Sequence, residues 1–137
     1  MTISIANDHG TITISDQVFA GAILKVMGKI EYNNKVWPSN DKSKLMGQIH
    51  EVEAAEFADE ISTELLDDGS ILISFHIITQ LGASISAVTE SLSKDIFELF
   101  EKEKYPVGEI HIHISGVKSK NIANRDLEVV YSYEPKR

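Results

Sequence analysis

ILISFHIITQLG, residues Ile71–Gly82, decides the fold. Ile71, Ile73, Phe75 and Ile77 recur at period two and share one face of an extended strand. Leu72, Ser74, His76 and Ile78 take the other face. Asp67-Asp68-Gly69-Ser70 stands just before, and Asp-Gly between apolar runs signals a hairpin. The spacing therefore predicts that Ile61–Leu66 folds back antiparallel on Ile71–Thr79. Gly82 ends the strand and opens a helix over Ser84–Lys104. There Ile85, Val88, Leu92, Ile96 and Leu99 form an apolar stripe that Phe97 and Phe100 widen, Ser84 or Ser86 can cap, and Tyr105-Pro106-Val107-Gly108 stops. Glu98, Glu101, Lys102 and Glu103 belong to its solvent side.

On either side the chain alternates again. Glu109–Ser115 sets Ile110, Ile112 and Ile114 against His111 and His113. Leu127–Tyr133 sets Leu127, Val129, Tyr131 and Tyr133 against Glu128, Val130 and Ser132, and reads as a last, edge strand. Upstream, Thr11–Ser15 is a short strand, and Thr2–Ala6 either pairs with it across Asn7-Asp8-His9-Gly10 or is a loose terminus. Ser15-Asp16 opens a helix, Ser15 as cap and Asp16 at the positive end of the dipole. Phe19, Ile23, Met27 and Ile30, with Val26 alongside, form its core stripe. Glu31–Asn40 reads as a loop in which Trp37, the sole tryptophan, either anchors the loop on the core or serves as a contact point, the anchor being favoured. Asp41–Ala58 fits a helix capped by Asn40 or Asp41, although QIHEVEA also alternates as a strand would.

These elements predict one α+β domain over residues 1–137: a small mixed β-sheet with two principal helices packed on one face. A variable loop or helix occupies about 31–59, and an extra strand about 127–133. A chain of 137 residues can bury a core, and no apolar run approaches a membrane span. The start, MTISIANDHG, lacks the basic and apolar regions of a signal peptide, so the expected location is cytoplasmic. With no cysteine there are no disulfides, thiolate metal sites or cysteine nucleophiles.

The formal net charge of −8 argues against nucleic acid and against direct attachment to anionic lipid. The charge is uneven. Asp41–Asp68 holds nine acids against Lys42 and Lys44, while Val117–Arg137 holds five bases against Asp126, Glu128 and Glu134. Solvated surface explains this, and so does head-to-tail self-contact, acidic middle against basic tail.

Few residues offer chemistry. His111 and His113 share a strand face, and His76 can lie on the neighbouring strand. Two histidines at i, i+2, with Glu109 as a possible third ligand, can share a metal, but ordinary surface polarity on the outer face of a half-buried strand is the favoured reading. Glu51, Glu53, Glu56, Asp59 and Glu60 could pair for acid–base work, but no apolar neighbours shield them. GASIS is not a GxSxG elbow, and GxxxxGK[ST], GxGxxG and a GxxG loop are absent. No catalytic, cofactor-binding or metal-binding residue is assigned.

Three stretches nonetheless resemble the alkaline shock protein family, small general-stress proteins of Gram-positive bacteria. GTITISDQVFAGAI (Gly10–Ile23) is similar to the family's opening strand and first helix. DDGSILISFHIITQLGASISAV (Asp67–Val88) is similar to its central strand, glycine and second helix, and VGEIHIHISGV (Val107–Val117) to its closing strand. GKIEYNNKVWP stands where the family usually has an acid-Gly-Val junction, Ser86 stands where proline is common, and many members lack the strand after Val117. The resemblance implies a non-enzymatic protein of envelope or alkaline stress. It would self-associate as a homo-oligomer and be held at the inner face of the membrane by a membrane-anchored protein partner, without inserting itself. The alternative function is a small-molecule or metal-binding protein, or an enzyme, using the His76/His111/His113 face.

Overall fold

The computed structural model describes residues 2–7, 10–32, 35–39, 52–82, 84–118 and 122–133. Strands β1 (Thr2–Asn7) and β2 (Gly10–Ser15) pair antiparallel as a hairpin of their own, so the first strand is paired rather than loose. Helix α1 (Asp16–Met27) follows, then a 3-10 turn at Ile30–Tyr32 and β3 (Val36–Ser39). A short helix α2 (Ala54–Ala58) precedes β4 (Ser62–Leu65) and β5 (Ile71–Gln80). Helix α3 (Ile85–Lys102), β6 (Val107–Lys118) and β7 (Ile122–Ser132) complete the order.

The main sheet runs β3-β5-β6-β7, with β4 pairing the first half of β5 and β3 its second half. β5 and β6 are parallel and every other pair is antiparallel, so the sheet is mixed. The parallel pair follows from α3: a helix between two strands carries the chain back to the start of the sheet. Ile71, Ile73, Phe75 and Ile77 of β5 and Ile110, Ile112 and Ile114 of β6 are each fully buried. They pack with Phe19, Ile23, Leu92, Ile96 and Phe100 of the two long helices in one core. The helices therefore cover one face, as the period-two and period-3.6 stripes require.

Gly69 turns the β4–β5 hairpin with φ +86°, and Gly82 leaves β5 at φ +89°, both in the region that favours glycine. α3 starts at Ser84, whose hydroxyl accepts the Ala87 N–H at 3.3 Å. It ends in a Schellman turn: Lys104 adopts φ 64°, and the Tyr105 N–H returns to the Phe100 carbonyl at 2.8 Å.

Several expectations are corrected. Residues 31–40 are not simply a loop, because Val36–Ser39 is a strand. Pro38 is tolerated there because β3 lies at the sheet border, paired among the described strands with β5 alone. Ser15 occupies the cap position of α1, but its side chain accepts no capping bond. Asp16, rather than merely facing the helix dipole, is buried and accepts a hydrogen bond from Thr63 Oγ1 at 2.7 Å, tying α1 to β4. Of the expected helix at 41–58, the part described is helical only over Ala54–Ala58. Residues 40–51, with the cap at Asn40 or Asp41, lie outside the described residues, as does the side chain of Ile30.

Polar residues inside the α3 interface were also unforeseen. Thr89 and Ser93 are fully buried. Each meets a tyrosine hydroxyl from β7 or just beyond: Tyr131 at 2.8 Å and Tyr133 at 2.7 Å, while Phe97 stacks on Tyr133 at 4.3 Å between ring centroids. On the other flank of α3 the Tyr32 hydroxyl donates to Asp95 Oδ2 at 2.6 Å and lies 2.8 Å from Ser91 Oγ.

Burial, and then the bond donated to Asp95, push the Tyr32 phenol well above its ordinary value of 10.0. Burial raises Tyr133 as well. A raised folded-state value means the folded protein holds the proton more tightly than the unfolded chain. That stability is complete below about pH 10 and declines as the pH climbs towards the folded value. Urea denaturation should therefore show stability holding up to about pH 10 and falling above it. Tyr32→Phe, which has no proton to lose, should flatten part of that fall. An equal slope in both proteins would mean that Tyr32 does not carry it.

Candidate functional site

The face of the sheet turned away from α1 and α3 gathers the residues with chemistry. Its parallel core pair sets His76 of β5 directly beside His113 of β6. The flanking registers set Ser39 of β3 beside His76 and Glu128 of β7 beside His113. One row, Ser39–His76–His113–Glu128, thus crosses four strands at right angles to them. Such rows arise because directly opposed residues share a face. The His76 and His113 rings lie 4.6 Å apart at 41°. His76 Nδ1 is 3.0 Å from Ser115 Oγ, with the tautomer deciding which of the two donates. One residue pair along the strands, His111 lies between two carboxylates, 3.3 Å from Glu109 Oε1 and 3.7 Å from Glu128 Oε1.

A bulge in β6 shapes the far end of this face. Ile77 pairs with Ile114, but Ile78 pairs with Gly116, so β6 carries one extra residue. The extra residue resets the alternation. Lys118 consequently joins Gln80 on the outer face instead of the core face, and its ammonium sits 4.7 Å over the ring of Trp37. That distance is within cation–π range. Trp37 is buried, as an anchor should be, but against Ile78 on the outer face and not in the helix-side core.

The three histidines singled out from sequence therefore do meet on one face. What they do not form is a metal cage: among the described residues no group of three or more His, Cys, Asp or Glu is arranged to hold an ion. The Ser115–His76 distance suits a nucleophile and base. Ser115 is, however, only 2% exposed. Of the acidic group, Glu53, Glu56 and Asp59 are exposed and Glu60 half-exposed around α2, and Glu51 lies outside the described residues.

The other surface feature is β7. It is 11 residues long, it ends the sheet, and no described strand lies beyond it. Leu127 on its helix-side face is 46% exposed, and Val130 on the outer face 47%. The Tyr133 N–H bonds the Gly108 carbonyl at 2.7 Å. In an antiparallel pair alternate residues aim both backbone groups at the same neighbour. Tyr133, Tyr131 and Val129 therefore point at β6, whereas Ser132, Val130 and Glu128 point off the edge. Sequence alternation located this strand, but only its pairing reveals which backbone groups are left over. Among the described residues no helix is long and apolar enough to cross a membrane.

No family model, no curated protein and no solved structure matches this chain.

Proposed function

We propose that this protein is a non-enzymatic, cytoplasmic interaction protein of an envelope or general (alkaline) stress response. It works by self-association and by contact with a membrane-anchored protein partner. The observation that carries the interaction half is β7, a long edge strand with half-exposed Leu127 and Val130 and a row of outward backbone donors and acceptors that no described strand pairs. Edges of this kind invite strand addition by another chain, and proteins that have no use for it usually blunt them. The envelope half rests on the resemblance of Gly10–Ile23, Asp67–Val88 and Val107–Val117 described above. A net charge of −8 opposes direct binding to anionic lipid, so membrane contact has to run through a protein.

The expected result is that purified protein stays at the bottom of a flotation gradient with anionic liposomes. In cells it should sediment with membranes while the anchored partner is present and become soluble when that partner's gene is deleted. Flotation with lipid alone would overturn protein-mediated attachment.

The second reading, a small-molecule site on the histidine face, draws on the Ser39–His76–His113–Glu128 row. A ligand there should raise the melting temperature of the wild type but not of a His76→Ala/His113→Ala variant.

A further inference from the structure

We infer that the occupant of the β7 edge is the β7 strand of a second copy, paired antiparallel about a two-fold axis at Val130. The inference rests on the interaction reading above and names its partner and register. The two-fold axis stands perpendicular to the sheet and so keeps each face of β7 on the same side. Opposed residues must then share a facing, and the registers open to the pair step along the strand one centre at a time.

Side-chain chemistry selects among these registers. Centring on Glu128 sets that carboxylate opposite itself, and directly opposed like charges destabilise a sheet. Centring on Val129 sets Glu128 against the half-exposed Val130 of the other copy. Centring on Val130 removes both conflicts. Val130 meets Val130, Glu128 meets Ser132, Val129 meets Tyr131, and Leu127 meets Tyr133. Leu127 and Val130, each about half exposed, gain apolar neighbours. This register also opposes the three residues whose backbone groups point off the edge, Glu128, Val130 and Ser132, with one another, so each finds hydrogen-bonding partners.

The absence of cysteine makes the register directly measurable, since any introduced thiol is the only one. Glu128, Val130 and Ser132 are all exposed, so single-cysteine variants at these sites keep the fold. At the axis, the two Val130 α-carbons would lie about 5.5 Å apart, inside the roughly 4.4–6.8 Å that a disulfide spans. Residue 128 of one copy sits about four residues, or about 14 Å, along the strand from residue 128 of the other.

Val130→Cys should therefore oxidise to a covalent dimer at least about tenfold faster than Glu128→Cys or Ser132→Cys. Wild-type protein should sediment as a dimer at high concentration. Val130→Lys, folded by circular dichroism, should weaken the dimer at least about tenfold, because two ammonium groups then face each other at the axis. Equal cross-linking of the three cysteine variants, or a dimer indifferent to Val130→Lys, would overturn this register. A wild-type monomer at every concentration would overturn self-pairing. Cell fractionation can still succeed through the anchored partner in that case, so the two readings fail separately.

Discussion

Ile112→Asp should unfold the protein or leave it within reach of unfolding. Ile112 lies mid-strand on β6, between Phe75 of β5 and Val129 of β7, and is fully buried under the helices. The substitution removes an aliphatic side chain worth about 2–5 kcal/mol by its cavity alone. It then forces a carboxyl group into a site flanked by Phe75 and Val129 in the fully buried core, for a further cost of several kcal/mol. Domains of this size hold only about 5–15 kcal/mol in total. Burial also favours the neutral acid, so the penalty should shrink as the pH falls. His111→Gln, one residue away, changes a half-buried side chain on the opposite face and should fold with a loss under about 1 kcal/mol. Chemical denaturation of the two variants decides the matter, and equal tolerance would mean that the facing of β6 is wrong.

Phe57→Ala should cost about 3–5 kcal/mol, although it lies in a helix of five residues. So short a helix has no stability of its own in water and persists only through what it buries. Phe57 is fully buried and meets Phe75 edge to face, ring centroids 6.2 Å apart. Truncation removes both the ring's burial and that aromatic contact. It should also release α2 from the core, so hydrogen exchange at residues 54–58 should accelerate more than exchange across β5 and β6. Phe57→Leu keeps most of the apolar volume and should cost less than half as much. A loss below about 1 kcal/mol for Phe57→Ala would show that α2 does not dock through this ring.

The legibility of the chain varied from element to element for physical reasons. α3 and β5 were plain because their apolar residues recur at 3.6 and 2 over a full element, and a period is local information. β3 was hidden because four residues are too few to display a period and one of them is proline. Its identity depends on β5, a partner some 40 positions away in the chain. Thr89 and Ser93 are no part of the apolar stripe read from the sequence, yet they are core residues because Tyr131 and Tyr133 bring hydroxyls to them. A polar group can be buried when its hydrogen bonds are met, and the partner that meets them here is some forty residues along the chain.

The sequence by itself determined the class of the fold: a period-two strand, an Asp-Gly hairpin, two amphipathic helices, and alternation that put His111 and His113 opposite the isoleucines. These follow from steric rules acting over a few residues. Tertiary structure alone decided that β5 and β6 run parallel and in the register that sets His76 against His113. It alone made the β6 bulge that carries Lys118 over Trp37. It also decided that Val130 and its alternate neighbours aim their backbone groups outward from the β7 edge. Pairing between distant strands is chosen by the packing of the whole core, and no short window of residues contains that choice.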